Sequence, residues 1–253
     1  VFNTLGSNLN PILTQLAKNK RALFVEGKDF QILSKFARKL KRPQVANRSD
    51  FTVVSVEGFS PEKVKDFSKG MELTLGTKII TGVIFDRDYR SDFEIKGILS
   101  ELNKSSKLAH IHRRKEIENF LLSVEPIHRA IKRKIEDRKK RTGKSLKFNE
   151  TVNKILLKIT EPLRHSVIAQ FISKQVLFHK IVTPSMDEST ITENLMKDFE
   201  KKWGELEARL FLVPGKKVFA LLNNYLQDKY QITVTLSQLI DCFEIEDGGG
   251  ASC

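Results

Sequence analysis

Over the first half of the chain, short apolar runs that stop abruptly at carboxylates alternate with stretches of helical period. Ala22-Leu23-Phe24-Val25 runs into Glu26-Gly27-Lys28-Asp29, and Thr81-Gly82-Val83-Ile84-Phe85 runs into Asp86-Arg87-Asp88-Tyr89-Arg90. With residues 51–56 and 108–112 they read as four buried strands, rich in β-branched and aromatic residues. Between them lie helical stripes. Leu9, Ile12, Leu13 and Leu16 mark a helix over 8–18, and Ile32, Leu33, Phe36 and Leu40 mark another. Ser60 and Pro61 have the residue types of an N-cap and a first turn, and 92–102 and 113–122 read as two more helices. This alternation predicts an α/β fold, a Rossmann-like parallel sheet flanked by helices. From about residue 125 to 210 the strand signal gives way to long helical periodicities such as Val152-Ile155-Leu156-Ile159, which predict an α-helical insertion or subdomain. The run Phe211-Leu212-Val213-Pro214-Gly215-Lys216 then reads as a short strand or turn followed by a helix. Lys216 falls in its first turn, against the helix dipole, which hints at service to something anionic.

Composition narrows the class. The chain has 253 residues and 40% apolar content, enough for one large domain with an ordinary core. Its formal net charge of +13 favours an anionic partner. Nucleic acid stands ahead of a membrane, because no stretch approaches the length of a transmembrane span and no signal peptide opens the chain. Much of the charge is local: residues 129–147 hold ten Lys/Arg, among them Lys132, Arg133, Arg138, Lys139, Lys140 and Arg141, against two acids. Such a run suits phosphate-backbone contact as well as a solvated helix end, and no aromatics interleave it for base stacking. The two cysteines, Cys242 and Cys253, form neither a metal-spaced pair nor a disulfide framework, which suits a reducing cytoplasm. Val1 at the start and Gly-Gly-Gly-Ala-Ser-Cys at the end suggest a fragment, with 248–253 as a tail.

The candidate chemistry sits at the strand tips, where open α/β sheets carry their sites. Asp86 and Asp88 share a side if the strand persists, and Glu26 at a neighbouring tip completes a cluster. Two carboxylates ~4 Å apart repel by roughly 1 kcal/mol in water and by several times more in a protein. The cluster therefore calls for protons or a cation, and oxygen-only ligands suit Mg²⁺ or Mn²⁺.

The pairing of Val25-Glu26-Gly27-x-Asp29 with Phe85-Asp86-Arg87-Asp88-Tyr89-Arg90 resembles the two signature motifs of the Toprim domain of primases, topoisomerases and several nucleases. Arg113-Arg114-Lys115-Glu116-Ile117-Glu118-Asn119-Phe120-Leu121 and Val213-Pro214-Gly215-Lys216 are similar to segments of the OLD (overcoming lysogenization defect) family nucleases. The resemblance covers the chain from about residue 8 onward. In that family an ABC-type ATPase domain precedes a Toprim nuclease region, and several members act on DNA in anti-phage defence. The resemblance thus implies a junction to a missing ATPase domain over 1–20, a Toprim core over 21–124, the helical subdomain over 125–210 and a C-terminal return over 211–247. It also implies a two-metal phosphodiesterase and a possible homodimer. Glu26 would be a metal ligand and possible base, Asp86 and Asp88 the main ligands, Glu116 or Glu118 a ligand of the second ion, and Lys216 the cation facing the scissile phosphate. Asp29 is a further ligand candidate, one residue closer to Glu26 than the motif commonly has it. On a helix Glu116 and Glu118 could not share a face, and the choice between them stays open.

Other enzymes fit less well. Thr142-Gly143-Lys144-Ser145 mimics the end of a P-loop, but Arg138 stands where the upstream glycine belongs. Asp88 with Glu94-Ile95-Lys96 imitates a hairpin nuclease pattern on a segment that reads as helix. Tyr89, Tyr225 and Tyr230 lack the context of a topoisomerase nucleophile, and the cysteines cannot build a primase zinc module. His110 and His112 flank a strand. The alternative from another class is a non-catalytic nucleic-acid-binding or assembly module.

Overall fold

The computed structural model describes residues 10–58 and 61–244. The expected Ser60 cap and the 248–253 tail lie outside them. Four strands form one sheet in the order β2-β1-β3-β4, all parallel: β1 Arg21–Glu26, β2 Thr52–Val56, β3 Ile80–Phe85 and β4 Leu108–Ile111. The central pair alternates buried and half-buried positions, with Ala22, Phe24, Val83 and Phe85 turned into the core. The expected α/β class and all four strands are observed.

Helix α1 (Asn10–Asn19) leads into β1, and α2 (Phe30–Lys39) and the short α3 (Pro43–Asn47) lie between β1 and β2. Helix α4 (Pro61–Leu75) connects β2 to β3, and α5 (Asp92–Leu102) connects β3 to β4. Right-handed crossovers place α2 on one face of the sheet and α4 and α5 on the other, because the chain moves left across the sheet once and then right twice. The cores follow that division. Leu16 of α1, Val64 and Met71 of α4 and Leu102 of α5 bury Phe24, Val54, Val83 and Phe85, whereas Ile32 of α2 belongs to a second core.

That second core is helical. A 3₁₀ helix at Ile117–Leu121 precedes α6 (Val124–Thr142), α7 (Val152–Thr160), α8 (Arg164–Val182), α9 (Glu188–Gly204), α10 (Leu206–Leu212), α11 (Gly215–Tyr230) and α12 (Leu236–Asp241). Ile127, Ile155, Phe171, Phe199, Leu222 and Leu239 are fully or almost fully buried in it, beside Tyr89 and Leu121. Helix α12 packs on both α2 and α6. The core therefore runs without a break from residue 117 to 242 and back to the sheet, and the expected boundary at 210 falls inside α10 rather than at a strand. Among the described residues no helix is long and apolar enough to cross a membrane.

Buried Arg209 of α10 fastens the joint with α9 and the turn that follows α7. It donates to Trp203 O at 2.8 Å and to Glu161 Oε2 at 2.8 Å, and stacks over the Trp203 ring at 4.6 Å. A guanidinium taken out of water is tolerated when its donors are answered in this way.

Candidate active site

Strand order reverses between β1 and β3, so the crevice beyond their carboxyl ends is the topological switch point of the sheet. Glu26 closes β1, and Asp86 follows β3 directly. Gly27 turns the chain at φ 48°, a left-handed conformation suited to glycine, and its N–H donates to Val56 O at 3.1 Å. The turn delivers Asp29 to the start of α2, where it is 2% exposed and caps no amide with its side chain. Burial, followed by the nearby Glu118, pushes the Asp29 carboxyl up to about 7 against the pull of Lys216. The shortened motif spacing has not removed Asp29 from the cluster.

Asp86 is the centre. It is buried, its Oδ1 accepts the Ile117 N–H at 2.9 Å, and burial with Asp29, Glu26 and Glu118 pushes it up to about 8. Burial and Asp88 likewise raise Glu26, opposed by Lys216, Arg90 and Lys115.

Asp88 departs from the expected geometry. Strand β3 ends at Phe85 and Asp88 has φ 51°, so the two acids do not share a strand face. The Asp88 N–H donates to Lys115 O at 2.9 Å, Arg90 donates to its Oδ2 at 3.0 Å, and Lys115 Nζ lies 3.9 Å from Oδ1. Asp88 is an ion-paired carboxylate at the rim, half answered already.

The helix expected over 113–122 is a second departure. Residues 113–116 form an irregular loop ahead of the 3₁₀ helix: the Lys115 N–H donates across the chain to Phe211 O at 3.0 Å, and the Glu116 N–H donates to Asn119 Oδ1 at 3.0 Å in a capping box that starts the helix at Ile117. The helical-face argument no longer separates the two glutamates. Glu118, 7% exposed, couples to Asp29 and Asp86, and its own carboxyl is raised, by burial first. Glu116 is held by Lys115 Nζ at 2.5 Å and by the Lys216 N–H at 3.2 Å. Glu118 faces the acids, and Glu116 is committed to neighbouring cations and the first turn of α11.

Lys216 sits in that first turn, as expected. Its Nζ lies 3.6 Å from Glu118 Oε1. Burial pulls the ammonium down, but Glu118, Asp29, Glu116 and Asp86 outweigh it and leave it raised. Gly215 lets α11 come this close, since a Cβ there would meet Asn119 N at 2.8 Å. Asn119 is fully buried and donates to Leu210 O at 2.8 Å and Val213 O at 2.7 Å. Sequence reasoning missed Asn119 and Lys115 as organisers of the site. The one signal for Asn119 was the Pro214-Gly215 pair, which asks for a close neighbour without naming it.

The basic residues of α6 stay apart from this cluster. Lys132, Arg133, Lys139, Lys140 and Arg141 are exposed, while Arg138 bonds Gln231 and Arg129 pairs with Glu244. Among the described residues no hydrogen bond or ion pair joins them to the acids.

No family model, curated protein or solved structure matches this chain. Its site is read from its own chemistry. Six acids (Glu26, Asp29, Asp86, Asp88, Glu116 and Glu118) surround three cations (Arg90, Lys115 and Lys216). Glu26 Oε2 and Glu118 Oε2 are buried without a hydrogen-bond partner. Orphaned carboxylate oxygens beside raised carboxyls are what a proton or a hard cation would satisfy. Among the described residues no three His, Cys, Asp or Glu side chains are already gathered about one point as a metal would hold them.

Proposed function

We propose that this chain is a Mg²⁺- or Mn²⁺-dependent DNA nuclease of the Toprim type, the nuclease part of an OLD-type protein that works with an ABC-type ATPase domain in anti-phage defence. The observation that carries this reading is the convergence of Glu26, Asp29, Asp86 and Glu118 at the switch point, two of them with buried unpartnered oxygens, opposite Lys216. The donor set is all carboxylate, which suits two hard divalent ions once side chains rotate inward. Glu26, Asp29, Asp86 and Glu118 would hold them, with Asp88 joining on release from Arg90. Bound ions of this kind supply charge neutralisation at phosphate oxygens and lower the pKa of an attacking water. Glu26 would serve as a metal ligand and, through its oxygen without a hydrogen-bond partner, could take a proton from water. Lys216 brings a fixed positive charge to the place where a phosphodiester gathers negative charge. Arg90 and Lys115 steady the rim by holding Asp88 and Glu116.

Cleavage of supercoiled and linear DNA with Mg²⁺, with Mn²⁺ and with a chelator tests the reading beside Asp86→Ala. Metal-dependent nicking or degradation is expected from the chain and is expected to fall at least about a hundredfold in the variant, the loss typical of removing one electrostatic participant. Cleavage retained by Asp86→Ala would reject the site.

A second reading, a nucleic-acid-binding or assembly module without catalysis, draws on the exposed cations of α6, which stand off from the acids.

A further inference from the structure

A cavity of about 450 Å³ opens beside the acid cluster, between the turn that follows β3 and helices α8 to α10. Asp88 belongs to its wall, so the cavity is a direct neighbour of the proposed phosphodiester site. The volume lies in the range of small-ligand sites.

Three kinds of surface meet there. Tyr89, Phe171 and Phe211 give it an aromatic lining, with the Tyr89 and Phe171 rings 6.1 Å apart and edge to face. Gln175 of α8 reaches it with 9% of its surface exposed, and its amide makes no hydrogen bond among the described residues. The Tyr89 hydroxyl is also buried and unpartnered. A buried hydroxyl without a partner is unusual, since buried polar atoms nearly always find one, and the Gln175 amide beside it is open to the cavity. Arg113, exposed on the loop before the 3₁₀ helix, adds a cation that makes no ion pair among the described residues. Of the wall's four acids, Asp88 is answered by Arg90 at 3.0 Å and Asp92 by Arg87 at 2.6 Å, while Glu205 and Glu207 share the wall with Lys202.

We propose that this cavity receives one unpaired nucleotide of a DNA strand, its base against the aromatic lining, its edge bonded to the Gln175 amide and its phosphate toward Arg113. The inference rests on the nuclease reading and deepens it, because it makes single-stranded, frayed or flipped DNA the preferred substrate. Every base has a π-face for an aromatic wall, and an amide can both donate to and accept from a base edge, so the site is tolerant of sequence. A paired base offers neither feature: its faces are stacked and its pairing edge is taken.

Fluorescence anisotropy tests this in the Asp86→Ala background, where cleavage does not intrude, with a labelled single-stranded oligonucleotide and a blunt hairpin duplex. Gln175→Leu removes the amide and Ala208→Trp fills the cavity. Each is expected to weaken single-strand binding about tenfold, the loss of one good polar contact or stack, with duplex binding nearly unchanged. Thermal melts confirm folding, and Gln175→Leu stands alone if the bulkier variant fails to fold. Equal affinities of Gln175→Leu and its parent for the single strand would overturn the inference even if the unaltered chain cleaves DNA with metal. Selective loss of single-strand binding in a chain that shows no metal-dependent cleavage would uphold the cavity and reject the nuclease reading. Free dAMP that binds as tightly as the strand would overturn the strand as occupant and leave a mononucleotide site.

Discussion

Asp86 carries the heaviest electrostatic load in the site. Its ordinary value is 3.8, and burial among other acids pushes it up to about 8, so the metal-free chain holds this proton at neutral pH. A group whose folded pKa lies above its unfolded one stabilises the fold fully below the unfolded value, and that stability drains away as pH climbs through the folded value. Asp29, pushed up to about 7, acts in the same direction. The melting temperature of the metal-free chain is therefore expected to fall between pH 5 and 8, within the window of these two shifts, and Mg²⁺ or Mn²⁺ is expected to restore it with release of protons. A metal-free melting temperature that rises over that range, or no response to either ion, would contradict the arrangement. The residues themselves were legible as strand-tip acids. Their geometry was not, because a single left-handed residue, Asp88, undoes the two-residue parity on which the strand argument depended.

At the scale of elements, the site depends on how the 3₁₀ helix meets the start of α11. Asn119 is the clasp, and its amide serves two carbonyls at the end of α10 while Gly215 leaves it room. Asn119→Leu strands those carbonyls and Gly215→Ala forces a Cβ against backbone, so each is expected to cost about 2–3 kcal/mol of stability. Each is also expected to reduce metal-dependent cleavage, since Glu118 and Lys216 lose their register. Chemical denaturation and cleavage assays check both, and variants as stable and active as the parent would deny the clasp its role. The four strands and most helices could be read from sequence because apolar period alone sets them. The stretch 113–116 could not, because the Lys115 amide bonds to Phe211, a partner that no local pattern reveals, while Glu116 and Asn119 close a local capping box that starts the 3₁₀ helix only at 117. Phe211 misled for the mirror reason: its β-favouring neighbours close a helix whose packing against the core overrides propensity.

For the whole molecule, the acid cluster and the basic surface of α6 are separate devices on one body. The first would work on one phosphodiester, while the second presents exposed charge to many. Reversing Lys139, Lys140 and Arg141 to glutamate is expected to weaken DNA binding and to flatten its dependence on salt by about one unit of slope for each phosphate no longer neutralised. The fold itself is expected to survive, since these side chains are exposed. Binding measured across a salt series decides it, and an unchanged slope would reduce the segment to a solvated face. The concentration of charge was plain in the sequence, but its separation from the acids was not, because only the three-dimensional path of α6 sets it.

The Lys216 amide reaches back to Glu116 across 100 residues of chain, and the Lys115 amide reaches forward to Phe211 in the same way. Pairings of such long range close only after the intervening helices have found one another, since closing a loop of that length carries an entropy cost that local pairings escape. The parallel sheet and its strand-tip acids close shorter loops than the pairing of Glu116 with Lys216, whose lysine arrives with the helical body. A partly folded chain would thus carry the carboxylates of the site without the lysine that faces them. Completion of folding then doubles as the step that arms the protein.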